Sequence, residues 1–206
     1  MKRVLFQGDS ITDCGRSRED ESNKGRGYAT LVISRLGYDE PGVYEFFNRG
    51  IASEKVTDIY RRIKEDIIDL KPDYLSILVG VNDAWYYLKE ENGVSCEEYE
   101  QVYDRLIREV TEALPHIKIM ILESFVTPGK QTKDDWEALR AEVEKRGAVA
   151  KRIAEKYNLT FVPLQAKFDA MIEKQPEPYW TWEGVHPTEP GHELIAREWM
   201  KAFKTL

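Results

Sequence analysis

Cysteine and histidine are scarce in this chain, at two and three of 206 residues. Cys14 and Cys96 stand far apart and outside any Cys-x-x-Cys or Cys/His spacing, which argues against a zinc module or a disulfide framework. A single bridge between them stays open, but two isolated thiols fit a reducing compartment, and a cytoplasmic location is expected. No apolar run approaches the ~20 residues of a membrane span. The first residues enter a strand pattern directly, without the basic segment, long apolar stretch or small-residue cleavage site of a signal peptide, so no membrane partner is expected. Clustered positive charge is missing too. Thirty Lys and Arg stand against 37 Asp and Glu, a net charge of −7, with both signs mixed along most helical patterns. That excludes the basic field on which nucleic-acid binding depends. Repeats, low-complexity tracts and Gly/Pro/Ser-rich linkers are absent, so residues 1–206 read as one domain, long enough to bury a core without disulfides or metals.

What is present is an alternation of short apolar runs with longer periodic ones. Val4–Phe6, Tyr44–Phe47, Tyr74–Val79, Ile117–Leu122 and Thr160–Val162 are rich in Val, Ile, Tyr and Phe and read as buried strands. Between Glu54 and Leu70, Val56, Ile59, Tyr60, Ile63 and Ile67 recur at three- and four-residue steps and predict one helix with a single apolar stripe. Ser95 and Glu98 form a capping box that opens a helix running to Leu114, and Pro115 stops it. Trp136–Tyr157 and Glu189–Phe203 complete the helical patterns. Strands alternating with helices imply right-handed crossovers and a mostly parallel, five-stranded sheet covered on both faces, a three-layer α/β/α sandwich. Asp13–Gly27 and Phe125–Asp135 read as loops on the ligand side.

In such a sheet, ligands bind beyond the carboxyl ends of the strands. Those ends carry Gly8-Asp9-Ser10, then Asn48-Arg49-Gly50, then Gly80-Val81-Asn82-Asp83. Taken singly each has an ordinary reading: Gly-Asp-Ser as a turn or helix cap, Gly50 as a chain reversal, Asn82-Asp83 as a cap for the next helix. Together they supply a hydroxyl, two backbone N–H groups from Ser10 and Gly50, and the Asn82 amide, the parts from which an acyl-transfer site and its oxyanion hole are built. His186 supplies a base, and Glu183, three residues upstream across the Gly184 turn, can hold its Nδ1–H. A plain turn with an exposed histidine is the competing reading. His116, next to Pro115, suits the surface, and His192, inside the last helix pattern, suits packing or capping.

Gly8-Asp9-Ser10-Ile11-Thr12, Gly50, Gly80-x-Asn82-Asp83 and an acidic residue followed by His186-Pro187-Thr188 resemble, in order, the four motif blocks of the SGNH or GDSL-type hydrolases. The resemblance spans residues 8 to 192. It implies a flavodoxin-like fold, metal-free ester hydrolysis with no cofactor, Ser10 as nucleophile, His186 as base, residue 183 as the triad acid, and Ser10 N–H, Gly50 N–H and Asn82 as oxyanion donors. Two departures stand out. The family usually has Asp at the position of Glu183, and Ile51-Ala52-Ser53-Glu54 replaces a segment in which relatives often carry small residues and an asparagine. Within the family, Asn48-Arg49-Gly50 and Trp180-x-Trp182 look most similar to bacterial carbohydrate acetyl esterases of the acetylxylan type. The implied substrate is an acetylated xylo-oligosaccharide or related ester, with Trp180, Trp182 and Trp85 as stacking platforms. Those tryptophans could equally be core residues or the interface anchors of a homo-oligomer.

The same site would serve a short-chain lipase or thioesterase. A metal-dependent phosphoesterase would draw on Asp9, Asn82, Asp83 and His186, but no Asp-x-His pair exists in the chain. A sugar-binding module on a decayed hydrolase scaffold is the non-catalytic alternative, motivated by Glu183.

Overall fold

Five strands form one sheet in the order β2-β1-β3-β4-β5, every neighbouring pair parallel. They are β1 (Lys2–Gly8), β2 (Tyr44–Asn48), β3 (Tyr74–Leu78), β4 (Lys118–Leu122) and β5 (Thr160–Val162). The structure is a computed structural model and describes residues 1–176 and 178–206. Between the strands run α1 (Ser10–Asp13), α2 (Tyr28–Asp39), α3 (Val56–Arg61), α4 (Val81–Leu88), α5 (Cys96–Ala113) and α6 (Trp136–Lys156). After β5 come α7 (Gln165–Ile172) and α8 (Glu189–Phe203).

Successive strand residues point to opposite faces, and both faces are buried here. Val4, Phe6, Leu78, Met120 and Leu122 pack with Val32, Leu36, Ile195 and Trp199 of α2 and α8. Leu5, Leu75, Ile77, Ile119 and Ile121 pack with Ile59, Tyr103, Leu106 and Ile153 of α3, α5 and α6. The expected three-layer sandwich is therefore present, and the unbroken apolar character of the strands follows from burial on both sides.

One predicted helix differs. The stripe from Glu54 to Leu70 is split into α3 and a π-helical turn at Lys64–Ile68. Ile63 and Ile67, four apart and so on one helical face, still pack on the sheet side across the π turn. Ser95 caps α5 as its motif predicts, its hydroxyl accepting from Glu98 N–H at 3.1 Å. Among the described residues no helix is long and apolar enough to cross a membrane, and Cys14 and Cys96 are both free thiols.

The chain leaves β1 toward β2 on one side and returns to pair β3 on the other. The strand order thus reverses between β1 and β3, which opens a crevice at their carboxyl ends. Ser10 and Asn82 sit there, each in the first turn of the helix that follows its strand.

Candidate active site

Ser10 enters the crevice because Asp9 caps α1. The buried Asp9 carboxylate accepts the Ile11 N–H at 2.9 Å, leaving the side chain of the next residue at the mouth. Burial raises the Asp9 carboxyl to about 7, against the stabilising Ile11 N–H and His186. Ser10 Oγ lies 2.9 Å from His186 Nε2. On the other side of the ring, Nδ1 is hydrogen-bonded to Glu183 Oε1. With the proton on Nδ1, Nε2 is left free to accept from the serine hydroxyl. Glu183 Oε1 also accepts the His186 backbone N–H at 3.1 Å, so the longer acid is anchored twice to the residue it serves. The carboxylate raises the His186 pKa above its ordinary value, partly offset by desolvation of the ring.

The arm carrying Glu183 and His186 is held from both ends. Thr181 and Pro187 form an antiparallel bridge, and Trp182 N–H donates to the His186 carbonyl at 2.8 Å. Gly184 turns at φ +109°, where other residues rarely go. The loop expected at Phe125–Asp135 clasps this turn, with Thr127 N–H on the Gly184 carbonyl at 2.8 Å and Gln131 N–H on that of Glu183 at 3.0 Å. Thr188 then caps α8, so the helix start fixes where the arm ends.

The oxyanion side departs from expectation at Gly50. Its N–H donates to Asn48 Oδ1 at 3.0 Å, while Asn48 Nδ2 donates to the carbonyls of Thr12 at 2.7 Å and Lys24 at 2.9 Å. Gly50 is buried, and a β-carbon there would collide with the backbone of Asp13. The glycine is demanded by this close backbone approach, and its N–H is taken by the Asn48 side chain. Ser53 lines the crevice instead, in the same cavity as Ser10, Asn82 and His186. Its φ of +67° places it in the left-handed region, and among the described residues neither its N–H nor that of Ser10 donates to another protein group. Asn82 Nδ2 donates to the Glu54 carbonyl at 3.0 Å, which leaves its second amide hydrogen for a ligand. Asp83, the other half of the Asn-Asp pair, is buried and accepts the Val56 N–H at 3.1 Å. Nothing in the sequence singles out Ser53, since serine is not the residue expected where φ is positive.

The crevice has two lobes on either side of the Ser10–His186 pair. The larger, of about 540 Å³, is lined by Cys14, Gly15, Arg26, Trp182, Glu189 and His192. The smaller, of about 240 Å³, is lined by Ala52, Ser53, Val81, Asn82, Trp85 and Tyr86. Trp182 is 59% exposed at the mouth of the larger lobe, and Trp85 forms part of the smaller. Trp180 lines neither; its ring packs on the core beside Tyr179, in an edge contact at 4.9 Å. Positions two apart in a regular strand share a face, so the different settings of the two rings mark the arm as irregular around its isolated bridge at Thr181. His192 is a packing and capping residue: Nδ1 accepts the Tyr28 N–H at 3.1 Å and Nε2 meets Cys14 Sγ at 3.3 Å. Burial lowers its pKa to about 4, so it is neutral. His116 is exposed. Among the described residues no three His, Cys, Asp or Glu side chains converge as metal ligands.

A doubly covered parallel sheet with Ser, His and Glu side chains in series at its switch point is the architecture of a serine-type hydrolase. Residues 6–194 match the GDSL-like Lipase/Acylhydrolase family, and the chain belongs to it. It is 35% identical over 211 residues to an acetylxylan esterase of Geobacillus stearothermophilus, covering 97% of this chain and 93% of that one. A crystal structure of that organism's acetylxylan esterase Axe2 superposes with a TM-score of 0.86 at 33% identity, covering 98% and 93% of the two chains. A protein of Parabacteroides merdae described as a GDSL-like lipase superposes with a TM-score of 0.91 at 35% identity, covering 98% and 94%. The protein is a carboxylic ester hydrolase.

Proposed function

We propose that this enzyme removes acetyl or other short acyl groups from carbohydrate esters, acetylated xylo-oligosaccharides foremost, through an acyl-enzyme on Ser10. The 2.9 Å contact between Ser10 Oγ and His186 Nε2 carries the reading. Ser10 Oγ attacks the ester carbonyl as His186 Nε2 takes its proton. The negative charge on the carbonyl oxygen is met by Ser10 N–H, Ser53 N–H and Asn82 Nδ2, the donors lining the small lobe. Such donors are each worth on the order of 10²–10³ in rate. His186 returns the proton to the leaving sugar oxygen as the C–O bond breaks, and water then repeats the cycle on the acyl-serine. Glu183 holds Nδ1 and stabilises the imidazolium as it forms.

The division of the crevice supports the substrate class. The acyl group must sit with the oxyanion donors, in the smaller lobe, and the leaving group must sit beside His186, in the larger one. There Trp182 offers a flat exposed ring of the kind that stacks on a pyranose. The likeness to an acetylxylan esterase points the same way. A cytoplasmic setting, suited to short oligosaccharides and not to polymer, is part of the same reading and is supported by the two free thiols.

The test is a panel of acetyl, butyryl and octanoyl nitrophenyl esters together with acetylated xylo-oligosaccharides, run with and without a chelator. Acetyl esters are expected to be cleaved fastest, with activity retained after chelation and an acetylated Ser10 peptide found by mass spectrometry after rapid quench. Ser10→Ala is expected to keep the fold and lose hydrolysis by several orders of magnitude. Wild-type-like turnover in that variant ends the serine mechanism, and a preference for octanoyl esters makes the protein a lipase or thioesterase instead.

A further inference from the structure

Arg26 is a cation without an acidic partner in the lobe that receives the leaving group. It lines the same cavity wall as Ser10, Trp182 and His186. Most cations around the crevice are neutralised: Arg49 pairs with Glu21 at 2.7 Å, Lys24 with Glu21 at 3.4 Å, and Arg62 with Glu54 and Asp66. Arg16 is spent on carbonyls, donating to Gly50 at 2.7 Å and Ser17 at 3.3 Å. Among the described residues Arg26 makes no ion pair and no side-chain hydrogen bond. Glu189 lines the same lobe without reaching it.

The backbone of Arg26 is anchored, its N–H donating to the Cys14 carbonyl at 3.0 Å, and its guanidinium lies near Gly15. From the position a β-carbon would take on that glycine, Nε is 3.6 Å away, Nη2 3.8 Å and Cζ 4.0 Å. A planar cation laid against backbone, with its donors unclaimed, is the group that recognises a carboxylate through paired hydrogen bonds. In a chain of net charge −7, a cation placed beside the nucleophile also answers the repulsion that an anionic substrate would otherwise meet. A neutral acetylated sugar needs no such group.

We infer that the leaving-group lobe selects acetylated oligosaccharides that carry a carboxylate, as a uronic acid substituent does, with Arg26 as the specificity-determining residue. The inference rests on the carbohydrate-ester reading above. Trp182 takes the face of the sugar ring, and Arg26 takes the carboxylate projecting from it.

The experiment compares kcat/KM for an acetylated xylo-oligosaccharide bearing a uronic acid with that for its neutral counterpart, in wild type and Arg26→Gln, at low and high sodium chloride. The exposed position sets the expected preference at about two- to fivefold for the acidic substrate at low salt. Salt should shrink that ratio, and Arg26→Gln should bring it close to one. A wild-type ratio of one, or a preference that survives Arg26→Gln, overturns the inference and leaves the carbohydrate reading standing. If neither saccharide is deacetylated while nitrophenyl acetate is, the carbohydrate reading falls and this inference with it.

Discussion

The buried carboxylate of Asp83 accepts the backbone N–H of Val56 at 3.1 Å. Together with the bond from Asn82 Nδ2 to the Glu54 carbonyl, this ties α4 to the turn that presents Ser53. One helix start therefore carries Asn82 and sets the position of Ser53, the two donors proposed for the oxyanion beside Ser10. Asp83→Ala leaves the Val56 N–H unpaired in the interior, at a cost of about 1–3 kcal/mol, and should lower kcat more than it raises KM. Asp83→Asn keeps an acceptor. Burial raises the Asp83 carboxyl to about 7, with Asp9 adding to the rise. The native state therefore holds a proton that the unfolded state releases near 3.8. Stability is fully present below that pH and is lost as pH climbs toward 7. Urea unfolding should show the wild type losing stability over that window relative to Asp83→Asn. Parallel curves would mean that the carboxyl does not titrate there.

Ser53 offers a separation of backbone from side chain. Its φ of +67° is costly for any residue with a β-carbon, and Ser53→Gly should raise stability by about 0.5–1 kcal/mol. If the donor is the backbone N–H, kcat/KM should change little in that variant. A loss of tenfold or more would assign the role to the hydroxyl. Asn82→Ala, by contrast, should lower kcat with little change in KM, since its amide is aimed at charge that develops only in the transition state.

The Glu183–His186 bond predicts a pH profile. His186 works as a base only when neutral, so kcat/KM rises with pH through its pKa, which Glu183 holds above 6.5. Glu183→Gln removes the raising influence, and the acidic limb should move to lower pH while the plateau falls by on the order of 10²–10⁴. Glu183→Asp should keep the limb high, with kcat/KM equal to or above that of the wild type. An unshifted limb in Glu183→Gln would mean that another group sets the histidine.

The two tryptophans of the arm should fail differently. Trp180→Ala opens a gap against the core and should cost about 1–3 kcal/mol of stability. Trp182→Ala should leave thermal unfolding nearly unchanged and reduce turnover of acetylated sugars more than of nitrophenyl acetate. Equal effects on both esters would place Trp182 outside the sugar site.

The strands, the α/β alternation and the order of the four motif blocks were determined by local sequence. A strand buried on both faces must be continuously apolar, and a nucleophile, its base and their donors are chemically rare enough to stand out when they recur at strand ends. Ser10, Asn82, Glu183 and His186 meet in one crevice as their chemistry requires. Where each polar group points was decided only by tertiary packing. The sequence Asn48-Arg49-Gly50 offers an N–H at a strand end, but the Asn48 side chain lies close enough to claim it. Ser53 reaches the crevice because Asn82 and Asp83, almost thirty residues on, fasten the turn around it. Trp180 and Trp182 are alike in sequence, yet in the fold one ring packs on the core and the other is exposed to solvent. Arg26, one of 30 basic residues, is set apart only in the fold, where it lines the crevice with Ser10 and His186 and has no acidic partner among the described residues. Such outcomes depend on contacts between segments distant in the chain, where orientation and not residue type settles which hydrogen bonds are made.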